Sequence, residues 1–201
     1  MALLGGSTSF VRYAVEGELP DNFFEFAAKQ IAANSFRDID DTADEYSIGW
    51  VSVQSMFDSE FAYASHAVAD YIVLSLRVDE RKVSPAVLKK FTLKEEERIK
   101  KERQLPRLNR QQRVDIKEST RQLLVRRAAP VPAVYDLCWN LADNTLLFFS
   151  TNGKAQELFE RFFKDTFGLS IRMQVPFLAA GHLMDPEDAD MLAELNQTVF
   201  I

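Results

Sequence analysis

The period of the hydrophobic pattern changes several times along the chain, and each change marks an element. Residues 9–16 (Ser-Phe-Val-Arg-Tyr-Ala-Val-Glu) alternate and are rich in aromatic and β-branched side chains, which predicts a strand. Gly17 to Pro20 closes it. From Asp21 or Asn22, either of which can cap a helix, Phe23, Phe24, Ala27, Ala28 and Ile31 recur at helical spacing. The acidic stretch 38–45 reads as a loop, and residues 46–53 and 70–78 as two further strands. The first third is therefore β-α-β-β.

Helical character takes over after Arg81. Ser84 followed by Pro85 is a hydroxyl cap with proline at the first helical position. Thr92-Leu93-Lys94-Glu95 has the form of a capping box and predicts a restart after a short break. The charged run reaches Arg103, and Leu105-Pro106 interrupts it. Asn109 with Gln112 opens a second helix that should run to about Leu124, bounded by Pro130 and Pro132. Residues 133–141 and 145–150 then read as a hairpin around Ala142-Asp143-Asn144. Asn152 caps the clearest helix of the chain. Ala155, Leu158, Phe159, Phe162 and Phe163 form its apolar face, and Gly168 ends it. Residues 169–175 supply a last strand, so the final third is β-β-α-β. Beyond Pro176, Asp185-Pro186-Glu187-Asp188 predicts a short helix with Met191, Leu192 and Leu195 on one face. The expected fold is α+β, two such halves linked by a charged helical segment. The expected divisions are 1–80, 81–130, 131–175 and an amphipathic tail at 176–201.

Charge changes this picture more than composition does. The net charge is −6, yet residues 81–127 hold 16 of the 24 Lys+Arg and only 6 of the 30 Asp+Glu. A local surplus of ten cations sits in an otherwise acidic chain, and binding depends on the local field rather than on the total. No apolar run approaches the roughly 20 residues needed to cross a bilayer, and the first residues lack the basic start of a signal peptide. The single cysteine, Cys138, excludes an internal disulfide and suits a reducing cytoplasm. His66 and His182 have no second ligand at zinc spacing, and the acidic stretch lacks the glycine and terminal glutamate of a calcium loop. Cys138, between Leu137 and Trp139, reads as a core thiol. No cofactor and no catalytic constellation is expected.

The cations themselves have helical order. Arg110, Arg113, Lys117 and Arg121 are spaced 3, 4 and 4 apart, which places them along one face of a helix, and Lys94, Arg98 and Lys101 do the same on the helix before. Such stripes can follow phosphates, each contact releasing counterions. The bland alternative is a solvated helical pair, and Glu96 to Lys100 and Glu97 to Lys101 have the favourable order for internal ion pairs. No aromatic residue alternates with the cations and no compact base-reading set is present. Backbone contact is therefore favoured over stacking or base readout. The expected phosphate-contacting set is Lys89, Lys90, Lys94, Arg98, Lys101, Arg107, Arg110, Arg113, Lys117, Arg121, Arg126 and Arg127. The other class of function is a protein-interaction module whose basic helices dock on an acidic partner or on a second copy.

Four passages in order resemble the bacterial recombination-associated RdgC family. They are Gly49-Trp50-Val51; Leu74-Ser75-Leu76-Arg77 leading to Lys82-Val83-Ser84-Pro85-Ala86-Val87-Leu88; Glu97-Arg98-Ile99 through 107–117 to Leu123-Leu124-Val125-Arg126-Arg127; and Leu137-Cys138-Trp139-Asn140 with residues 150–157. The chain departs from the family pattern at Val125, where a proline is usual, and at Ala128, which no phenylalanine follows. The resemblance implies sequence-independent binding of double-stranded DNA by a ring-shaped homodimer with a basic inner surface. It also implies a nucleoid-associated modulator of recombination that indirectly antagonises the RecA recombinase. Some members are labelled exonucleases, but the sequence has no carboxylate cluster to support a nuclease, and no enzyme is expected.

Overall fold

A computed structural model of the chain describes residues 3, 5, 8–61, 66–176, 180 and 184. Its elements are β1 (Val11–Glu16), α1 (Phe23–Ala33), β2 (Tyr46–Val51), β3 (Ala67–Val68), β4 (Tyr71–Arg81), α2 (Pro85–Glu102), α3 (Arg110–Arg127), β5 (Pro130–Asn140), β6 (Thr145–Phe148), α4 (Gly153–Phe167) and β7 (Ser170–Met173). The hydrogen-bonded strand order is β2-β4-β5-β6-β1-β7, with β3 paired to β4. The fold is α+β, as the pattern predicts. The predicted helix at 186–195 lies outside the described residues.

The chain divides into two compact units. The first comprises Met1–Asn34, Trp50–Leu76 and Tyr135–Ile201. Here β1 pairs antiparallel with β6 (Val11 opposite Phe148) and with β7 (Tyr13 opposite Met173), and β5 pairs with β6 (Trp139 opposite Leu146). Tyr13, Leu137, Trp139, Leu146 and Phe148 are fully buried, so alternate residues of these strands form one apolar face. α4 covers that face because Ala155, Phe159, Phe163 and Phe167 recur every fourth residue and are all buried. Phe159 stacks on Phe148 at 4.2 Å, and Trp139 meets Phe163 and Phe23 edge-on at 5.3 and 5.0 Å. Burying each such ring stabilises the fold by about 1.5–3 kcal/mol. The Asn152 side chain accepts from the backbone of Lys154 and Ala155 at the start of α4. At its end Gly168 takes φ +69°, a left-handed cap that a side chain would strain.

The second unit comprises Ser35–Gly49 and Arg77–Val134 and carries both basic helices. Gly49 is needed there for close approach: a Cβ on it would stand 2.3 Å from the Phe36 Cα and 2.4 Å from the Phe36 nitrogen.

β4 runs on to Arg81, and β2, β6 and β7 each end two residues earlier than expected. Four further departures have a local reason. α2 runs unbroken through Thr92 to Glu102, because the segment after Pro85 has no proline or glycine and Lys94 to Glu102 are good helix formers. α3 continues past Leu124 to Arg127, since buried Val125 anchors its last turn. β5 starts at Pro130, three residues early; a proline is tolerated at the first residue of a strand, where its missing N–H costs no ladder bond. β3, only two residues long, is too short to leave a periodic signal, and with β4 it forms a small antiparallel pair.

Candidate nucleic-acid interface

The site is built from the two helices of the second unit. Ser84 opens α2, its hydroxyl accepting from Val87 N–H at 3.3 Å with Pro85 in the first turn. Asn109 opens α3 with a full capping box: its side chain accepts from Gln112 N–H at 2.8 Å, and the Gln112 side chain accepts from Asn109 N–H at 2.9 Å. α3 buries Ile116, Thr120 and Val125, whereas α2 buries no residue at all. Both helices therefore present nearly all of their charge outward. Every one of the twelve expected cations is exposed.

These cations do not form one continuous stripe. Arg107, Arg110, Arg113 and Lys117 line one cleft together with Thr92, Leu108, Val114 and a single acid, Glu96. None of the four has an acidic partner among the described residues. Lys94, Arg98, Lys101 and Arg127 line a second cleft, with Glu95 and Glu97 among them and with Phe91, Leu123 and Leu124 as apolar neighbours. Arg121 falls in a third cleft, beside Arg81 and Lys82. Lys89, Lys90 and Arg126 line none of these three.

Nor are the cations equally available. Arg98 donates to Glu95 at 2.6 and 2.9 Å and to Glu102 at 2.7 Å. The hydrogen bond to Glu95 raises the Arg98 pKa further and lowers that of Glu95. Arg121 lies 3.7 Å from Glu118 and 3.8 Å from Glu45. The sequence places Arg121 with Arg110, Arg113 and Lys117. The structure keeps those three together, adds Arg107, and sets Arg121 apart in a neutralised environment.

One group of charges escapes the sequence reading. Arg77, Asp79 and Arg81 occupy alternate positions of β4 and are all buried, at 4, 1 and 8% exposure. Arg77 makes a bidentate pair with Asp79 (2.9 and 2.7 Å) and lies 4.1 Å over the Phe36 ring. The hydrogen bonds to Asp79 raise the Arg77 pKa above its usual value. Arg81, counted in the basic surplus, donates instead to backbone carbonyls. Its available signal was the alternation of opposite charges along one face of an apolar strand.

Among the described residues, no group of three or more His, Cys, Asp or Glu is placed to hold a metal ion. No described helix is long and apolar enough to cross a membrane. His66 is buried, edge-on to Phe61 at 5.8 Å, and burial lowers its pKa. Burial likewise raises that of the half-buried Cys138 thiol.

The family model described as "Putative exonuclease, RdgC" matches residues 12–178, which run from the second residue of β1 through β7 and include both basic helices. The chain belongs to the RdgC family. Membership ties it to a recombination-associated, DNA-related group of proteins. No curated protein matches the chain significantly. Two of the four RdgC-like passages include structurally constrained positions: Gly49 at its close approach to Phe36 in the first, and Arg77 in its buried pair with Ser84-Pro85 at the start of α2 in the second.

Proposed function

We propose that this RdgC-family protein binds double-stranded DNA without sequence preference, by contacts from α2 and α3 to the phosphate backbone, and modulates recombination without cutting DNA. The observation that carries this reading is the cleft lined by Arg107, Arg110, Arg113 and Lys117, four exposed cations with no acidic partner among the described residues. Exposed, unpaired cations such as Arg110, Arg113 and Lys117 on α3, with Arg107 just before it, can each neutralise one phosphate, and counterion release then supplies affinity. Lys94, Lys101 and Arg127 extend the positive surface on the second cleft, with Lys89, Lys90, Arg98, Arg121 and Arg126 as weaker or compensated contributors. Nucleoid association, a homodimer and indirect antagonism of the RecA recombinase belong to the same reading and rest on the family.

The test is binding to unrelated duplexes across a salt series. Four phosphate contacts from this cleft predict a slope of log K against log salt of about −3 to −4. Arg110→Glu, Arg113→Glu and Lys117→Glu together should remove most of it. Equal affinity for the wild type and the triple variant would overturn the reading. Magnesium-dependent cleavage that disappears when Asp38, Asp40 and Asp41 are replaced would overturn its non-enzymatic part.

A second reading rests on a different observation. The other cleft combines Lys94, Lys101 and Arg127 with exposed apolar side chains, Phe91 at 39% and Leu123 at 51%. That mixture suits an acidic, amphipathic protein surface better than a phosphate chain. Both readings allow a homodimer, so Phe91→Ser with Leu123→Ser separates the two: only the second predicts that partner capture or self-association is lost in this variant while duplex affinity is unchanged.

A further inference from the structure

The acidic loop between Phe36 and β2 carries Asp38, Asp40, Asp41, Asp44 and Glu45, all exposed. Five carboxylates in eight residues repel one another, so such a loop is ordinarily held by solvent alone. Here it is pinned from inside. The Arg81 guanidinium donates to the carbonyls of Ile39 (2.6 Å), Asp40 (3.1 Å), Thr42 (3.1 Å) and Asp44 (3.0 Å), and Arg81 N–H donates to Glu45 O at 2.9 Å. Ile39 is buried beneath the loop. The remaining Arg81 nitrogen donates to the carbonyl of Ala128, the residue that caps α3.

One buried side chain therefore fixes both the loop and the end of α3. The loop's carboxylates remain exposed, with Asp38 3.8 Å from Arg77. Glu45 lies 3.8 Å from Arg121, which Glu118 approaches at 3.7 Å from its own helix. One turn earlier, Lys117 has no such partner, and neither do Arg113 and Arg110.

We propose that the loop 38–45 is a fixed electrostatic stop that ends the phosphate-binding face of α3 at Lys117. The inference rests on the DNA-binding reading and deepens it by assigning the limit of the contact surface. A phosphate beyond Lys117 meets Glu45 and Glu118, which lie 3.8 and 3.7 Å from Arg121 and so well inside a Debye length, about 8–10 Å at physiological salt. Arg121 is already compensated, so it releases no counterion on binding. The footprint is thereby set by a repulsive element as well as by the attractive one, which limits how many phosphates α3 can hold.

The experiment is the salt dependence of duplex binding for the wild type and four variants. Glu45→Gln removes the loop's charge from Arg121 and leaves only the contact with Glu118 of its own helix at 3.7 Å. Binding is expected to tighten about two- to fivefold at moderate salt and the slope to steepen by up to about 0.9, one phosphate. Asp41→Asn removes the same charge from the same loop away from Arg121, and is expected to leave the slope unchanged. Combining Glu45→Gln with Arg121→Gln should abolish the gain, relative to Arg121→Gln alone. An unchanged slope in Glu45→Gln, an equal gain in Asp41→Asn, or a gain that survives Arg121→Gln would overturn the stop. A wild-type protein with no salt-dependent binding at all would overturn the DNA-binding reading itself, and so is distinguishable from these outcomes.

Discussion

α4 and α2 are helices of similar length, 15 and 18 residues, that use their sequences in opposite ways. α4 buries five residues and is held by an aromatic stripe against a sheet face. α2 buries none, and Val87, Phe91 and Leu93 on it are 42, 39 and 52% exposed. An isolated helix of this length is marginal in water, so α2 depends on its Ser84-Pro85 start, on ion pairs such as those of Arg98, and on α3. The difference separates two tasks. A helix committed to packing has its side chains spoken for, whereas one held by caps and surface pairs keeps its charges available to a ligand.

The comparison breaks first at the core of the first unit. Phe159→Ala removes a fully buried ring that stacks on Phe148 and contacts Tyr13 and Phe163. It should cost about 3–5 kcal/mol, read as a lower midpoint in urea unfolding. The folded fraction should still bind DNA with the wild-type salt slope. A changed slope at full folding would show that the two units are not separate in task.

The next prediction concerns the second unit, whose interior is charged. Asp79→Ala strips the bidentate partner from Arg77, and the exposed Asp38 at 3.8 Å does not replace its geometry. Removing one partner of a buried ion pair costs about 3–5 kcal/mol. Because Arg77 also lies on Phe36, the loss should appear as raised amide exchange over residues 35–49 before the first unit opens. Uniform loss of protection across the whole chain would contradict this.

The contrast also explains what the sequence reveals. Elements with a strong period or a definite cap are legible: the α4 stripe, the Asn109–Gln112 box, the Ser84-Pro85 start and the break at Leu105-Pro106 all lie where the residues place them. The false restart at Thr92 arises because a capping box is a local pattern, and a helix already running has no orphan N–H for it to satisfy. The site is less legible than the fold. Helical spacing puts Arg121 with Arg110, Arg113 and Lys117, but spacing cannot show Glu45, which reaches Arg121 from 76 positions earlier in the chain. The use of Arg81 is hidden for the same reason, since its acceptors are carbonyls and carry no side-chain signature.

The smallest effect is the most discriminating. Asn109→Ala removes one half of the capping box at the start of α3, and loss of such a cap typically costs about 1 kcal/mol. Asn109 is exposed and touches neither core, so the global unfolding midpoint should move only slightly. The first turn it caps carries Arg110 and Arg113, two of the four unpaired cations of the proposed phosphate cleft. Fraying there spends ordering free energy on binding, so duplex affinity should fall further than stability does. Asn109→Ser, which can still cap, should restore most of the affinity. If both variants bind duplex as the wild type does, the first turn of α3 is not part of the contact, and the positive surface that matters lies on the other cleft, with Lys94, Lys101 and Arg127.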